Sequence, residues 1–156
     1  MLAGMAPEWE IAEWINGEAS LAGLRGRVIA FYAFQIRCIG CTRYALPQAQ
    51  EIAQRHPDVA VVGLHTVFEN HAAQDTVALR RYLDEHQIRF PVGVDRDGLT
   101  LERYAMQGTP TTVLIDRQGR RRMQRLGPVA DDELAAALRA LLNEAASAPP
   151  AAPSAS

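Results

Sequence analysis

Cys38 and Cys41 are the only two cysteines in 156 residues, and just Ile39 and Gly40 separate them. A C-x-x-C pair has three possible uses: exchange of electrons with a disulfide, half of a metal site, or a reduced and inert pair. Zinc needs four ligands. The nearest further candidates, His65 and His71, do not follow a usual zinc spacing. In a reducing compartment a close pair is more often catalytic or metal-binding than a structural staple. Metal binding and thiol–disulfide exchange, in which a thiolate attacks a sulfur and a neighbouring thiol completes the transfer, both stay open for the pair by itself.

The elements on either side must position these sulfurs. Val28–Phe34 is a continuous apolar run, the pattern of a strand covered on both faces. From Thr42 onward, apolar residues at 45, 46, 49, 52 and 53 keep helical spacing until His56-Pro57. Val59–Leu64 reads as a second buried strand, followed by a polar loop over 65–74. Asp75 or Thr76 can cap a helix whose apolar face is Leu79, Tyr82, Leu83 and His86. Arg89–Asp95 reads as a short strand and Leu99–Met106 as a short helix stopped by Gly108. Thr111–Ile115 and Arg120–Leu126 flank Asp116-Arg-Gln-Gly119 as a hairpin, with arginines at 120, 121, 122 and 125 marking a solvated edge. Asp131 is expected to cap a last helix carrying Leu134, Leu138, Leu141 and Leu142.

Before all of these, the Asn16-Gly17 turn signal predicts a small N-terminal hairpin. Strands alternating with helices imply parallel βαβ units, closed by antiparallel strands. The fold class is thus α/β, a central mixed sheet flanked by helices. One domain is expected over residues 1–144, with a disordered Ala/Pro/Ser tail over 145–156.

Composition excludes several classes. A net charge of -2 gives no reason to expect nucleic acid, and no apolar run approaches the roughly 20 residues that span a bilayer. The N-terminus lacks a basic segment followed by a long apolar one, so the expected location is the cytoplasm.

A strand ending in C-x-x-C at a helix start, with Gly108-Thr-Pro-Thr-Thr-Val-Leu-Ile-Asp-Arg-Gln-Gly119 far along the chain, resembles the thioredoxin fold. Within that fold it is most similar to TlpA-like and redoxin (AhpC/TSA-type) proteins. Ala6-Pro-Glu-Trp, Leu21-Ala-Gly-Leu-Arg-Gly26, the helix inserted at 75–87, Phe90-Pro-Val-Gly-Val-Asp95 and Tyr104-Ala-Met-Gln-Gly-Thr-Pro110 extend the resemblance over roughly residues 6–143. It implies that Cys38 is the exposed nucleophile and Cys41 the resolving thiol. It also implies that Pro110 is a cis-proline facing them, with the Thr109 backbone pairing with an extended substrate. No cofactor is implied beyond the dithiol. The partners implied are a protein or small-molecule disulfide and a thiol electron donor. Physical chemistry agrees: unpaired N–H groups and the dipole at a helix start favour a thiolate, and Arg37 adds positive charge.

The tuning positions depart from the family. Tyr32, six residues before Cys38, stands where thioredoxins bury an aspartate. Tyr44, three after Cys41, stands where TlpA-like proteins carry a glutamate, while Arg37 and Gly40 replace the common Trp and Pro. Pro47 follows Cys41 by six residues rather than the family's five, which predicts a differently wound first helix turn. With both usual acids absent, the loop after the second strand becomes the place to look for a proton carrier, through Glu69, His65 or His71. Two alternatives remain. A peroxiredoxin-like thiol peroxidase shares the framework, but Phe31 and Gln35 occupy the Pro and Thr/Ser positions of its Pro-x-x-x-Thr/Ser-x-x-Cys motif. A thioredoxin-fold binding or metal-carrier module would hold the cysteines without turning them over.

Overall fold

All seven residues of Val28–Phe34 (β2) are buried, as an uninterrupted apolar run requires. This strand lies inside a six-stranded mixed sheet. The structure, a computed structural model, describes residues 4–144; the expected Ala/Pro/Ser tail from 145 onward lies outside the described residues. On one side of β2 runs the parallel strand Val59–His65 (β3), itself parallel to Val92–Asp95 (β4). On the other side runs the antiparallel strand Thr111–Ile115 (β5), hairpinned to Arg121–Leu126 (β6).

The helices are Leu46–Arg55 (α1), Thr76–Glu85 (α2), Leu99–Arg103 (α3) and Asp131–Asn143 (α4). Apolar side chains of α1, α2 and α4 pack on the sheet face that carries Val28, Ala30, Tyr32 and Phe34. The opposite face, with Ile29, Phe31 and Ala33, is covered by the N-terminal segment and by Tyr104 and Met106 after α3. There Trp9 stacks on Phe31 with ring centroids 4.8 Å apart and donates its Nε1–H to the Tyr104 hydroxyl at 2.9 Å.

The expected N-terminal hairpin does not form. Asn16 and Gly17 do turn through the left-handed region, with φ of 68° and 109°. The strand before them, Ile11–Ile15 (β1), pairs antiparallel with β4 at the sheet edge instead. Two causes are visible. The Asn16 side-chain amide donates to the carbonyls of Ile88 and Phe90, which anchors the turn to the segment leading into β4. Residues 20–26 fold into short local turns, such as Leu24 N–H to Ser20 O at 3.0 Å, and offer no strand to pair with.

Two smaller differences concern side chains. Asp75 caps α2, accepting from the Ala78 N–H at 2.9 Å. Asp131 does not cap α4; it is the first helical residue, and its carboxylate accepts from Gln48. The arginines of β6 do lie at a sheet edge, but two of them are paired. Arg122 forks onto Glu144 at 2.6 and 2.8 Å, and Arg125 meets Glu133.

Candidate active site

Sheet register brings the key residues to one edge. Ala33 of β2 pairs with Thr111 of the antiparallel β5, so the end of β2 lies beside the start of β5. Two residues further out, Gln35 faces Thr109, and the Thr109-Pro110 bond is cis. Parallel β3 ends on the same edge, with His65 opposite Phe34. The chain leaves β2 through a tight turn, Cys38 N–H to Gln35 O at 3.3 Å, and enters a helix. The two sulfurs then differ sharply: Cys38 is half-buried, whereas Cys41 is fully buried in the core under α1.

The residue inserted between Cys41 and Pro47 is absorbed by a π-helical segment, Cys41–Ala45, that runs directly into α1. The Leu46 N–H reaches back five residues to the Cys41 carbonyl. A wider turn takes up one extra residue, and Pro47 has no N–H to give a carbonyl one α-turn back. The differently wound turn expected from the proline spacing is therefore this segment. Cys41 and Ala45 face the core from it.

Cys38 Sγ lies 3.6 Å from the Thr109 carbonyl, and the Cys41 N–H donates to Cys38 Sγ at 3.3 Å. Gly40 lets the proline ring approach: a Cβ there would stand 3.2 Å from Pro110 Cδ. Burial pushes the Cys41 thiol up to about 12, and its hydrogen-bonded neighbour Cys38 adds to the rise. The Gln35 backbone and the Thr109 hydroxyl act in the opposite direction, favouring the Cys41 thiolate.

Tyr32, in the place of the family's buried aspartate, is wholly buried and donates its hydroxyl to Gln48 Oε1 at 2.9 Å. Gln48 passes the contact on, donating to the Val129 carbonyl and the Asp131 carboxylate at 2.8 Å each. Burial raises the Tyr32 phenol well above its usual range, so the residue brings no charge to the core.

The loop candidates separate. His65 is buried, and desolvation pushes it down to about 4, so its imidazole is neutral at neutral pH. Its Nε2 has no hydrogen-bond partner among the described residues. Glu69 and His71 are exposed, and of Glu69 only the backbone carbonyl is engaged, by the Gln74 amide at 2.9 Å. Arg37 is exposed too, and its backbone N–H donates to Gln74 Oε1 at 3.0 Å. Two solvated side chains without polar contacts to the dithiol are poor proton carriers for it. Glu69→Gln and His71→Gln are thus expected to leave the rate of disulfide reduction within about twofold at every pH from 6 to 9, as steady-state assays would show.

Two polar residues of this cluster escaped the sequence reading, Gln35 and Gln74, both buried. Gln35 Nε2 donates to Thr109 Oγ1 at 3.1 Å, and its Oε1 accepts from the Phe68 N–H and from Gln74 Nε2. Gln35 carried one signal, a polar residue closing an apolar strand just before the cysteines. Gln74 carried none, because a glutamine in a polar loop looks solvated. Among the described residues no three His, Cys, Asp or Glu side chains gather to hold a metal ion, and no helix is long and apolar enough to cross a membrane.

A mixed sheet with a cysteine pair at the end of its central strand and a cis-proline beside it defines a thioredoxin-like fold. The sequence matches the AhpC/TSA family over residues 2–122, and the chain belongs to that family. The crystal structure of a thioredoxin-like superfamily protein superposes with a TM-score of 0.89 at 42% identity, covering 97% of this chain and all of that one (100%). A thiol-disulfide isomerase from Corynebacterium glutamicum superposes with a TM-score of 0.84 at 40% identity, covering 91% of this chain and 97% of its own. Among curated relatives, the thiol-disulfide oxidoreductase ResA of Bacillus thuringiensis subsp. konkukian is 20% identical over 74% of this chain, which spans 64% of that protein's length. The sporulation thiol-disulfide oxidoreductase A of Bacillus subtilis is 24% identical over 77% of this chain and 72% of its own.

Proposed function

We propose that the chain is a thiol–disulfide oxidoreductase that reduces disulfides with the Cys38–Cys41 dithiol. The observation that carries this reading is the asymmetry of the pair. A half-exposed Cys38 sulfur sits against Thr109 and Pro110, with a fully buried Cys41 one turn behind it. Cys38 attacks a substrate sulfur, forms a mixed disulfide and releases one substrate thiol. Cys41 then gives up its proton and attacks Cys38, closing the intramolecular disulfide and releasing the second thiol. Two electrons pass from the dithiol to the substrate, and an external thiol donor restores the pair.

Exposed apolar side chains support a polypeptide as the substrate. Ile39 lies between the cysteines, Phe68 on the loop bonded to Gln35, and Leu126 against Gly108. The relatives named for thiol–disulfide exchange support the same chemistry. A cytoplasmic setting is part of the proposal, supported by a single close cysteine pair in the whole chain. Thiol trapping in intact cells, followed by fractionation, tests that setting.

The functional test is insulin-disulfide reduction with dithiothreitol as donor, run beside hydrogen peroxide consumption with the same donor. Catalysed precipitation of the insulin B chain with no catalysed peroxide loss is the expected result. Peroxide loss alone would move the protein to the thiol peroxidases. Inactivity in both assays, with one zinc ion retained per chain, would make it a binding module.

A further inference from the structure

Three segments meet beside Cys38, and two buried amides join them. Gln35 follows β2, Gln74 ends the loop after β3, and Thr109 stands just before β5. A carboxamide has one accepting oxygen and one donating nitrogen, and its partners decide which end points where. The Arg37 N–H can only donate, so Gln74 turns its oxygen to that group at 3.0 Å. The Gln74 nitrogen then donates to Gln35 Oε1 at 3.2 Å and to the Glu69 carbonyl at 2.9 Å. The Phe68 N–H also meets Gln35 Oε1, at 3.3 Å, which leaves the Gln35 nitrogen to donate to Thr109 Oγ1 at 3.1 Å. An unpaired buried polar group is costly, so each amide is held in one orientation.

The amide pair bears on the nucleophile from two sides. Through the Arg37 N–H it holds the residue next to Cys38. Through Thr109 Oγ1 it holds the residue whose carbonyl lies 3.6 Å from Cys38 Sγ. Thr109 is half-buried, and its own N–H has no hydrogen-bond partner among the described residues. A polypeptide that pairs its backbone with this residue must also bring its disulfide to Cys38. Attack needs the reacting atoms aligned and about 3–3.5 Å apart, and a misplacement of about 1 Å costs on the order of a hundredfold. The placement of Thr109 against Cys38 Sγ therefore decides whether a bound chain reacts. We propose that Gln35 and Gln74 are positioning residues for polypeptide substrates: as one buried amide pair they fix Thr109 against the Cys38 sulfur, so that a chain paired with Thr109 brings its disulfide in line with the nucleophile. A small disulfide has no backbone to register and meets Cys38 alone. The inference rests on the reading of the chain as a dithiol reductant of polypeptides.

Two disulfides of different size test it. Pre-reduced protein is mixed with insulin or with bis(2-hydroxyethyl) disulfide, and its oxidation is followed by acid quench and thiol alkylation. One substrate disulfide becomes two thiols as Cys38 and Cys41 become a disulfide, so no donor is needed. Gln35→Met and Gln74→Met should each lower the ratio of the insulin rate to the small-disulfide rate roughly tenfold. Thr109→Val removes the Gln35 contact with both amides left in place, and should lower the ratio similarly. It serves as the second variant if Gln35→Met does not fold. Thr109→Ser keeps the hydroxyl and should hold the wild-type ratio within about twofold. Adding Thr109→Val to Gln35→Met should lower the ratio no further, because the contact between them is already gone.

A ratio unchanged in Gln35→Met and Thr109→Val would overturn the proposal, whether both rates held or both fell, since a merely loosened fold slows the two disulfides alike. Effects at positions 35 and 109 that multiply would overturn it too. Wild-type protein oxidised by the small disulfide but not by insulin would remove the polypeptide reading, and the proposal with it. Inertness of the wild type toward both would remove the dithiol reading itself. Each of those failures is seen in the wild type, apart from any variant.

Discussion

A Cys38→Ser protein should lose insulin reduction by at least roughly a thousandfold, whereas Cys41→Ser should stall with substrate attached. The difference follows from where the sulfurs sit. Cys38 is the only one of the two that a substrate disulfide can approach, since Cys41 is fully buried. A serine hydroxyl is not ionised near neutral pH and does not attack sulfur, so the first bond never forms. In Cys41→Ser the first attack proceeds, but no thiol lies behind Cys38 to break the mixed disulfide. One equivalent of substrate should accumulate on the protein, seen by mass spectrometry and removed by dithiothreitol. The Cys41 N–H that points at Cys38 Sγ is a backbone group and survives the substitution, so the geometry of the first attack is retained. If Cys41→Ser turned over insulin at the wild-type rate, the resolving role would be wrong while the nucleophile stood.

Much of this site was readable before any coordinates. The apolar run Val28–Phe34, the C-x-x-C pair and the Thr109-Pro110 segment each carry local signals of composition or spacing, and the mixed sheet follows from element order. The extra residue before Pro47 was also legible, because a proline fixes where a helix can bend, and the π-helical segment is the physical answer to that count. What was not legible depends on contacts between distant segments. Asn16-Gly17 does form a turn, but the partner of β1 was decided by the Asn16 amide and β4, some 75 residues away in sequence. Gln74 looked like a solvated loop residue until tertiary folding set it against Gln35. Glu69 and His71 were attractive for their chemistry alone, and the fold leaves their side chains in solvent. Chemistry-bearing residue types announce themselves in a sequence; the neutral amides that orient them do not.

The second large effect is alkaline. Burial holds the Cys41 thiol up to about 12, above its unfolded value near 8.5, and raises the phenols of Tyr32 and Tyr104 above their unfolded values near 10. For each group the folded state prefers the protonated form. The resulting stability is fully present below the unfolded pKa and is lost as pH climbs toward the folded one, because the unfolded chain releases its protons first. Urea denaturation midpoints should hold nearly steady from about pH 7 to 8 and then fall, with a loss on the order of 3 kcal/mol by about pH 10.5. Over the same range the closing step should accelerate by about tenfold per pH unit, since only the Cys41 thiolate attacks. Activity limited by closure should therefore rise with pH until unfolding overtakes it. Cys41→Ser should flatten the stability loss above pH 8.5. Tyr32→Phe should flatten it only above pH 10, at a cost of about 1 kcal/mol at neutral pH for the lost hydrogen bond to Gln48. A stability curve of unchanged slope in Cys41→Ser would mean that the thiol is not the group whose burial resists ionisation, and the alkaline limit would then lie with the tyrosines.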